Sequence, residues 1–280
     1  MVFHHILRTV LRGVAQKKVR EAVTEAAAQR VGSTQQAPPP EVALLFALGI
    51  ESGGFEDLLS DLVTTRGDGF VVHRGNIGQR RVAAVISGAG PKAAARATEA
   101  VITGHQPKWI ISAGFAGGLD PKLRRQDVLM ADGVTDSRGN RLTIDVHIDP
   151  AAMAKTPGVH VGRLLSGDTV IRMPREKHAA GKRHEAVAVD METFAVAEVC
   201  SRRGVRFLSV RVITDTADES LPKEVEGLLT QKSGPARLGA AAGAILRRPS
   251  SLADMYRLKE NALVCSDRLA RFLAGTIEQL

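Results

Sequence analysis

The sequence predicts an α/β protein: a three-layer α/β/α sandwich in which helices cover both faces of a central, largely parallel, mixed and twisted sheet. Three observations predict it. Short β-branched runs alternate with helical stretches along most of the chain. Several of those runs are continuously apolar, as strands buried on both faces are. The 280 residues, 44% hydrophobic and 24% charged, suffice for one substantial core.

From Val2 to about Val31 the chain reads as one basic amphipathic helix, with Phe3, Leu7, Val10 and Val14 at helical spacing. Residues 1–40 hold six Lys or Arg (Arg8, Arg12, Lys17, Lys18, Arg20, Arg30) against Glu21 and Glu25. Gly32 can stop the helix, and Pro38 to Pro40 force an extended linker, which sets residues 1–40 apart from a body spanning 41–280. Three readings of that helix stand open: peripheral contact with an anionic membrane surface, a targeting segment, or ordinary packing on the body.

In the body, "VALLFAL" (Val42 to Leu48), "GFVVH" (Gly69 to His73), "RVAAVIS" (Arg81 to Ser87) and "KWIISAG" (Lys108 to Gly114) read as strands. So do "DVLMAD" (Asp127 to Asp132), "EAVAVD" (Glu185 to Asp190) and "RFLSVRVIT" (Arg206 to Thr214). Helix candidates between them include Pro91 to Gly104 and Met191 to Arg203. From Leu221 to Leu280 the pattern becomes helices broken by Gly234, Pro235 and Pro249, ending in "DRLARFLAGTI" as a final amphipathic helix.

Composition excludes several classes. The net charge of +8 invites a nucleic-acid reading, but the basic residues are interleaved with acids, and 4% aromatic content leaves few stacking platforms. A basic solvated surface is the reading adopted, with no nucleic-acid partner. No apolar stretch is long enough to span a bilayer. Cys200 and Cys265 lie far apart, which fits reduced thiols in the cytoplasm, and neither they nor His147 and His178 show metal-ligand spacing. No metal and no cofactor is expected.

Chemistry is sought where strands end and loops begin. Four places qualify: "SGAGPKAAA" from Ser87, "SAGFAGGLDP" from Ser112, "LLSGDTVI" from Leu164 and "RVITDTADES" from Arg211. In the first, Gly88 and its fellow glycines allow close backbone approach to an anion or a sugar, and a helix opens at Pro91. A fifth feature is an anomaly: "AVAVDMETFAVAEVC" sets Asp190 and Glu192 inside an apolar segment, where a buried carboxylate is costly unless paired, hydrogen-bonded or used.

In order, at compatible spacing and joined to "VDMET", these motifs resemble the purine and uridine phosphorylase superfamily, most closely its methylthioadenosine/S-adenosylhomocysteine nucleosidase branch. The resemblance covers about Ala43 to the end of the fourth motif. It implies a place in purine-nucleoside metabolism and methionine salvage, a homodimer, and a small-molecule nucleoside as partner. It implies that Met191 packs against the sugar and that Glu192 accepts the ribose hydroxyls. Asp215, ending "RVITD", would protonate or hydrogen-bond the leaving purine; Glu51 in "FALGIES" would position the attacking water, and Ser87 would help hold it.

The chemistry itself asks for such groups. N-glycosidic cleavage passes through an oxocarbenium-like transition state, so the departing base, the sugar and the nucleophile each need a partner. For Asp215 to carry a proton its pKa must be raised, and the preceding "FLSVRVI" is expected to desolvate it. Taken alone, each acid has a plainer role: Asp215 as a helix N-cap, Glu51 solvated in a first helical turn, Asp190 as a cap, Asp168 as a turn or capping residue.

The chain departs from the pattern at Val170, where a purine-stacking Phe is usual, at Gln126, where a glycine is usual, and at Thr193 and Phe194, which are bulkier. Ile86 precedes Ser87 where the phosphorylases carry Arg, which favours water as nucleophile. The expectation is hydrolysis of a 5'-methylthioadenosine- or S-adenosylhomocysteine-like nucleoside to base and sugar. The alternatives are a phosphate-dependent phosphorylase and a catalytically weak nucleoside-binding protein.

Overall fold

The structure, a computed structural model, describes residues 38–67, 69–145, 156–222 and 251–280. The expected N-terminal helix, His147 and the helix breakers Gly234, Pro235 and Pro249 lie outside the described residues.

Strand β1 (Val42–Phe46) is buried along its whole length and its two faces fill different layers. Val42, Leu44 and Phe46 pack with Phe55 of α1 (Gly49–Glu56) and with Cys265, Leu269, Leu273 and Ile277 of the last helix, α5 (Ser251–Glu278). Ala43 and Leu45 meet Ala94, Ala97, Val101 and Ile102 of α2 (Pro91–His105) and Val196, Val199 and Cys200 of α4 (Thr193–Arg203). A period of two in β1 therefore feeds a helical layer on each side, the predicted three-layer arrangement.

On one side β1 pairs in parallel with β4 (Arg80–Ile86), and on the other with β5 (Trp109–Gly118), which pairs in parallel with β10 (Arg206–Asp215). The carboxyl ends of these four strands, and the loops after them, share one edge of the sheet. Beyond β4 the sheet turns antiparallel through β3 (Phe70–Ile77) to the exposed edge strand β2 (Ser60–Gly67).

The other half curls until it closes. Strand β10 pairs with β6 (Val128–Asp136), β6 with β8 (Val159–Ser166), β8 with β9 (Ala188–Asp190), and β9 returns to β5. The short β7 (Arg141–Thr143) pairs with β6. Leu129, Ala131, Val134, Leu164, Ala188 and Ile213 form a separate core cluster there. The sheet is thus mixed, with its parallel centre where the apolar runs are longest.

Helix α3 (Pro174–His184) begins with Pro at its first position and ends in Lys182, Arg183 and His184, which suit the negative end of its dipole. The last helix runs well upstream of "DRLARFLAGTI". Of "EAVAVD" only Ala188–Asp190 is strand, and the helix expected from Met191 begins at Thr193. Gln126, standing where a glycine is usual, has φ 68°, the left-handed conformation that favours glycine. Among the described residues no helix is long and apolar enough to cross a membrane.

Candidate active site

Glu51 lies in the first turn of α1, directly after β1, and is only 6% exposed. Its Oε2 accepts from the Leu48 N–H at 2.8 Å, closing the helix start, and its Oε1 accepts from the Phe115 N–H of β5 at 2.9 Å. Burial pushes its carboxyl up from the ordinary range, while the Arg211 charge and the backbone N–H groups of Phe115, Leu48 and Ala47 pull it back. A solvated first-turn glutamate is therefore not what the structure holds.

Arg211, in the middle of β10, is 2% exposed and was given no role by the sequence reading. Its Nη2 lies 2.7 Å from Asp190 Oδ2, 2.6 Å from Ser112 Oγ and 2.5 Å from Thr193 Oγ1. Its Nε is buried without a partner among the described residues. At Gly114 a Cβ would collide with Arg211 Nη1 and stand 2.7 Å from Glu51 Oε1, so this glycine is what lets the guanidinium and the carboxylate approach one another.

Asp190 does bond the Thr193 N–H at 2.9 Å, as the cap reading expected, and it also takes the hydroxyls of Thr193 and Ser166, each at 2.6 Å. The correction is its ion pair: Asp190 is the counter-charge of a buried arginine as well as a cap. Thr193 belongs to the same network, which explains a polar side chain at that place.

Glu192 follows β9 and reaches across to the loop after β4, where its Oε1 accepts from the Gly90 N–H at 2.7 Å. Burial, then the neighbouring charge of Asp190, push its carboxyl up to about 7; the Gly90 N–H and Arg211 oppose this, and Glu51 adds to it. Gly88 and Gly90 hold φ of 84° and 96°, open to glycine, and put the loop beside the carboxylate. Ser87 is buried there, its Oγ 2.9 Å from the Gly88 carbonyl and 3.2 Å from that of Phe46. Met191 is half-buried in the turn between β9 and α4.

Asp215 ends β10 and is no helix cap. Its Oδ2 lies 2.5 Å from Nζ of Lys177, and its Oδ1 accepts from the Thr214 hydroxyl at 2.8 Å. The apolar run before it is not the whole of its surroundings: a buried ammonium also stands against the carboxylate. Gly117 of β5 faces it, where a Cβ would come within 3.1 Å of Oδ2.

Val170 sits apart from these contacts, on the segment leading from β8 to α3. With Thr169, Ile171, Arg172, Met173 and Glu176 it lines a cleft of about 390 Å³. Asp168 is exposed and accepts from the Ser137 hydroxyl, and His178 pairs with Asp218 at 2.9 Å. A second cleft of about 650 Å³, around Trp109, Met130 and Arg206 at the opposite ends of β5 and β10, contains none of the predicted site residues.

The structure therefore joins Glu51, Glu192, Ser87, Gly88 and Asp215 around the ends of the central strands, with Arg211 and Lys177 added. Those two cations were missed for different reasons. A charge inside "FLSVRVI" is the same kind of anomaly as Glu192 and was open to notice. Lys177 stands in "PREKHAAGKRH", where nothing marks one cation among several.

Fold and site together define a nucleoside phosphorylase-like α/β protein, and residues 41–247 match the sequence profile of the phosphorylase superfamily, to which the chain belongs. Among its relatives, a 5'-methylthioadenosine/S-adenosylhomocysteine nucleosidase from a Marinomonas species is 33% identical over 165 residues, 51% of this chain and 71% of that protein. The nucleosidase of the same name from Colwellia psychrerythraea is 28% identical over 219 residues, 68% of this chain and 85% of that one. In three dimensions the Campylobacter jejuni nucleosidase superposes with a TM-score of 0.66 at 16% identity, covering 86% of this chain and 100% of its own. Helicobacter pylori futalosine hydrolase gives 0.64 at 18% identity, covering 85% and 97%. At these identities the structural likeness speaks for the fold.

Proposed function

We propose that the protein is an N-glycosyl hydrolase that cleaves a purine nucleoside of the 5'-methylthioadenosine/S-adenosylhomocysteine kind, releasing free base and sugar. The observation that carries hydrolysis is the charge around the loop after β4. Glu192 bonds that loop, Asp190 and Glu51 stand close enough to Glu192 to push its carboxyl up, and among the described residues Arg211 is the cation that acts on all three. The Glu192 carboxylate already takes the Gly90 N–H at the start of α2, where an anion would otherwise dock. A phosphate would bring further negative charge into this cluster, whereas water brings none.

In this reading Glu51 takes a proton from the attacking water, since its oxygens are fixed by two backbone N–H groups and its basicity is raised by burial. The Ser87 hydroxyl has one proton, spent on a carbonyl, and lone pairs left to accept from that water. Glu192 accepts the ribose hydroxyls, Met191 and Gly88 pack against the sugar, Val170 supplies an apolar wall for the base, and Asp215 serves the departing nitrogen. The names of the Marinomonas and Colwellia relatives support the substrate class.

The same reading takes the protein to be a cytoplasmic homodimer, with residues 1–40 as the segment that would touch a membrane surface. Buried, unpaired Cys200 and Cys265, with thiols pushed up to about 12 and 11 by burial, suit a reducing compartment. Sedimentation reads the dimer, and flotation with anionic vesicles reads the contact. The deciding experiment is free-base release from a nucleoside panel with and without inorganic phosphate. Release in its absence is expected; strict phosphate dependence would establish the phosphorylase alternative, and no turnover the binding-protein one.

A further inference from the structure

Helix α3 has one buried residue, and it is Lys177, with 0% exposure. An apolar side chain would fill that position without desolvating a charge, and a buried ammonium is costly unless it is well paired. Its surroundings account for every N–H. Nζ reaches Asp215 Oδ2 at 2.5 Å, the Thr216 carbonyl at 2.8 Å and the Glu219 carbonyl at 2.9 Å. Of these three acceptors only the carboxylate can take a proton. Were the proton to cross, the neutral amine would keep two N–H bonds for the two carbonyls, and its lone pair would accept from the new Asp215 O–H. The cage is satisfied in both states.

We propose that Lys177 is a positioning residue that holds, for Asp215, the proton the leaving base takes. The inference rests on the nucleosidase reading and deepens it. As the glycosidic C–N bond breaks, its electron pair stays with the base. The Nζ–H bond breaks as an O–H forms at Asp215 Oδ2; that O–H then breaks as an N–H forms on the base. Neutral amine, carboxylate and neutral free base remain. The attacking water gives its proton to Glu51, and between turnovers Glu51 releases that proton to solvent while the amine regains one, so no net proton is consumed. Gly117 brings no side chain against Oδ2, and the Thr214 hydroxyl fixes Oδ1, so the acid is aimed by both.

Other ionisable groups face this pair and are occupied. Glu219 is held by Arg125 at 2.9 Å and by the Thr216 N–H. Asp218 pairs with His178 of α3, Glu176 of α3 bonds the Met173 N–H, and the Cys265 thiol of α5 is kept neutral by burial. Arg211 of the same strand is turned to Asp190.

The test uses the full chain with Lys177→Met, Lys177→Gln, Asp215→Asn and the Lys177→Met/Asp215→Asn pair, each checked for a cooperative melt, on a purine nucleoside the wild type cleaves. Both lysine variants are expected to lose about 10²-fold or more in kcat at pH 7, with KM within about threefold. The alkaline limb of kcat should move to lower pH, because a carboxyl alone releases its proton at lower pH than an ammonium does. In the Asp215→Asn background Lys177→Met should add little, since the proton has no other route. An unmoved limb, or losses that multiply in the double variant, would make Lys177 merely structural. Should the variants fail to fold, the wild-type profile decides: kcat sustained through pH 8 is expected, and a fall already complete by about pH 6 overturns the proposal. A wild type inert on every nucleoside overturns the nucleosidase reading itself, and with it this step.

Discussion

Asp190 Oδ2 accepts from the Thr193 N–H, as a carboxylate at a helix start does, yet it also lies 2.7 Å from Nη2 of an arginine that is 2% exposed. The two roles differ in energy. Losing a cap costs about 1 kcal/mol, whereas breaking a buried ion pair leaves a charge without compensation and costs about 3–5 kcal/mol. Asp190→Asn is therefore expected to lower stability by about 3 kcal/mol or more in urea denaturation; a loss of about 1 would mean the pair contributes nothing. Glu51→Gln keeps the shape of the side chain and, through its single oxygen, one of the two N–H bonds, so nucleoside binding should change little while turnover falls by about 10²-fold or more, read as kcat against KM. At this scale the sequence was legible wherever an acid interrupted an apolar run, as at Glu192 and Asp215, because burial of a charge demands a reason. Lys177 was hidden because its reason is a contact 38 residues away in the chain.

At the scale of elements, the strands that were legible are those that carry an apolar run. Strand β1 announces itself as "VALLF", whereas β2 is an exposed edge and reads as polar loop. Closure of β5, β10, β6, β8 and β9 could not be read at all, since it depends on which strands pair and not on what each contains. The last helix was expected only as an amphipathic helix. Its Ser266 hydroxyl accepts from the Gly54 N–H at 3.0 Å and lies 3.2 Å from the Glu51 carbonyl oxygen, so α5 fastens the helix that carries Glu51. Ser266→Ala leaves a part-buried N–H and a carbonyl without that partner and should cost about 1 kcal/mol. Because the contact locates α1, kcat should fall with it more than KM rises. An unchanged rate in a destabilised variant would show that α1 is held by its apolar contacts alone.

For the whole molecule, the body from Pro39 has its own core, and its amino end is fixed locally: Arg81 Nε donates to the Pro39 carbonyl at 3.1 Å, and the Glu41 N–H to that of Arg81 at 2.8 Å. A chain starting at Pro38 should fold and keep its rate on the panel substrate; a folded but inactive truncation would give residues 1–37 a part in the chemistry. The stability of the intact protein should carry the mark of Glu192. Its carboxyl sits at about 7 in the folded protein against 4.5 in a free side chain, so between those values the folded state binds more protons than the unfolded one. Stability from this group is complete below about pH 4.5 and is lost as pH rises through about 7, by at most about 3 kcal/mol. Glu51, raised by burial, acts in the same direction. Asp136 and Glu219, whose hydrogen bonds and charged neighbours hold them below the ordinary range, act oppositely, their stabilisation being lost only at more acidic pH. Urea midpoints should therefore fall between pH 4.5 and 7, and Glu192→Gln should flatten that slope. If the ionised carboxylate is what receives the ribose hydroxyls, a bound nucleoside should flatten it too, and affinity should weaken as pH drops below 7. A slope identical in wild type and Glu192→Gln would remove Glu192 as its cause, and with it the charge cluster on which the preference for water over phosphate stands.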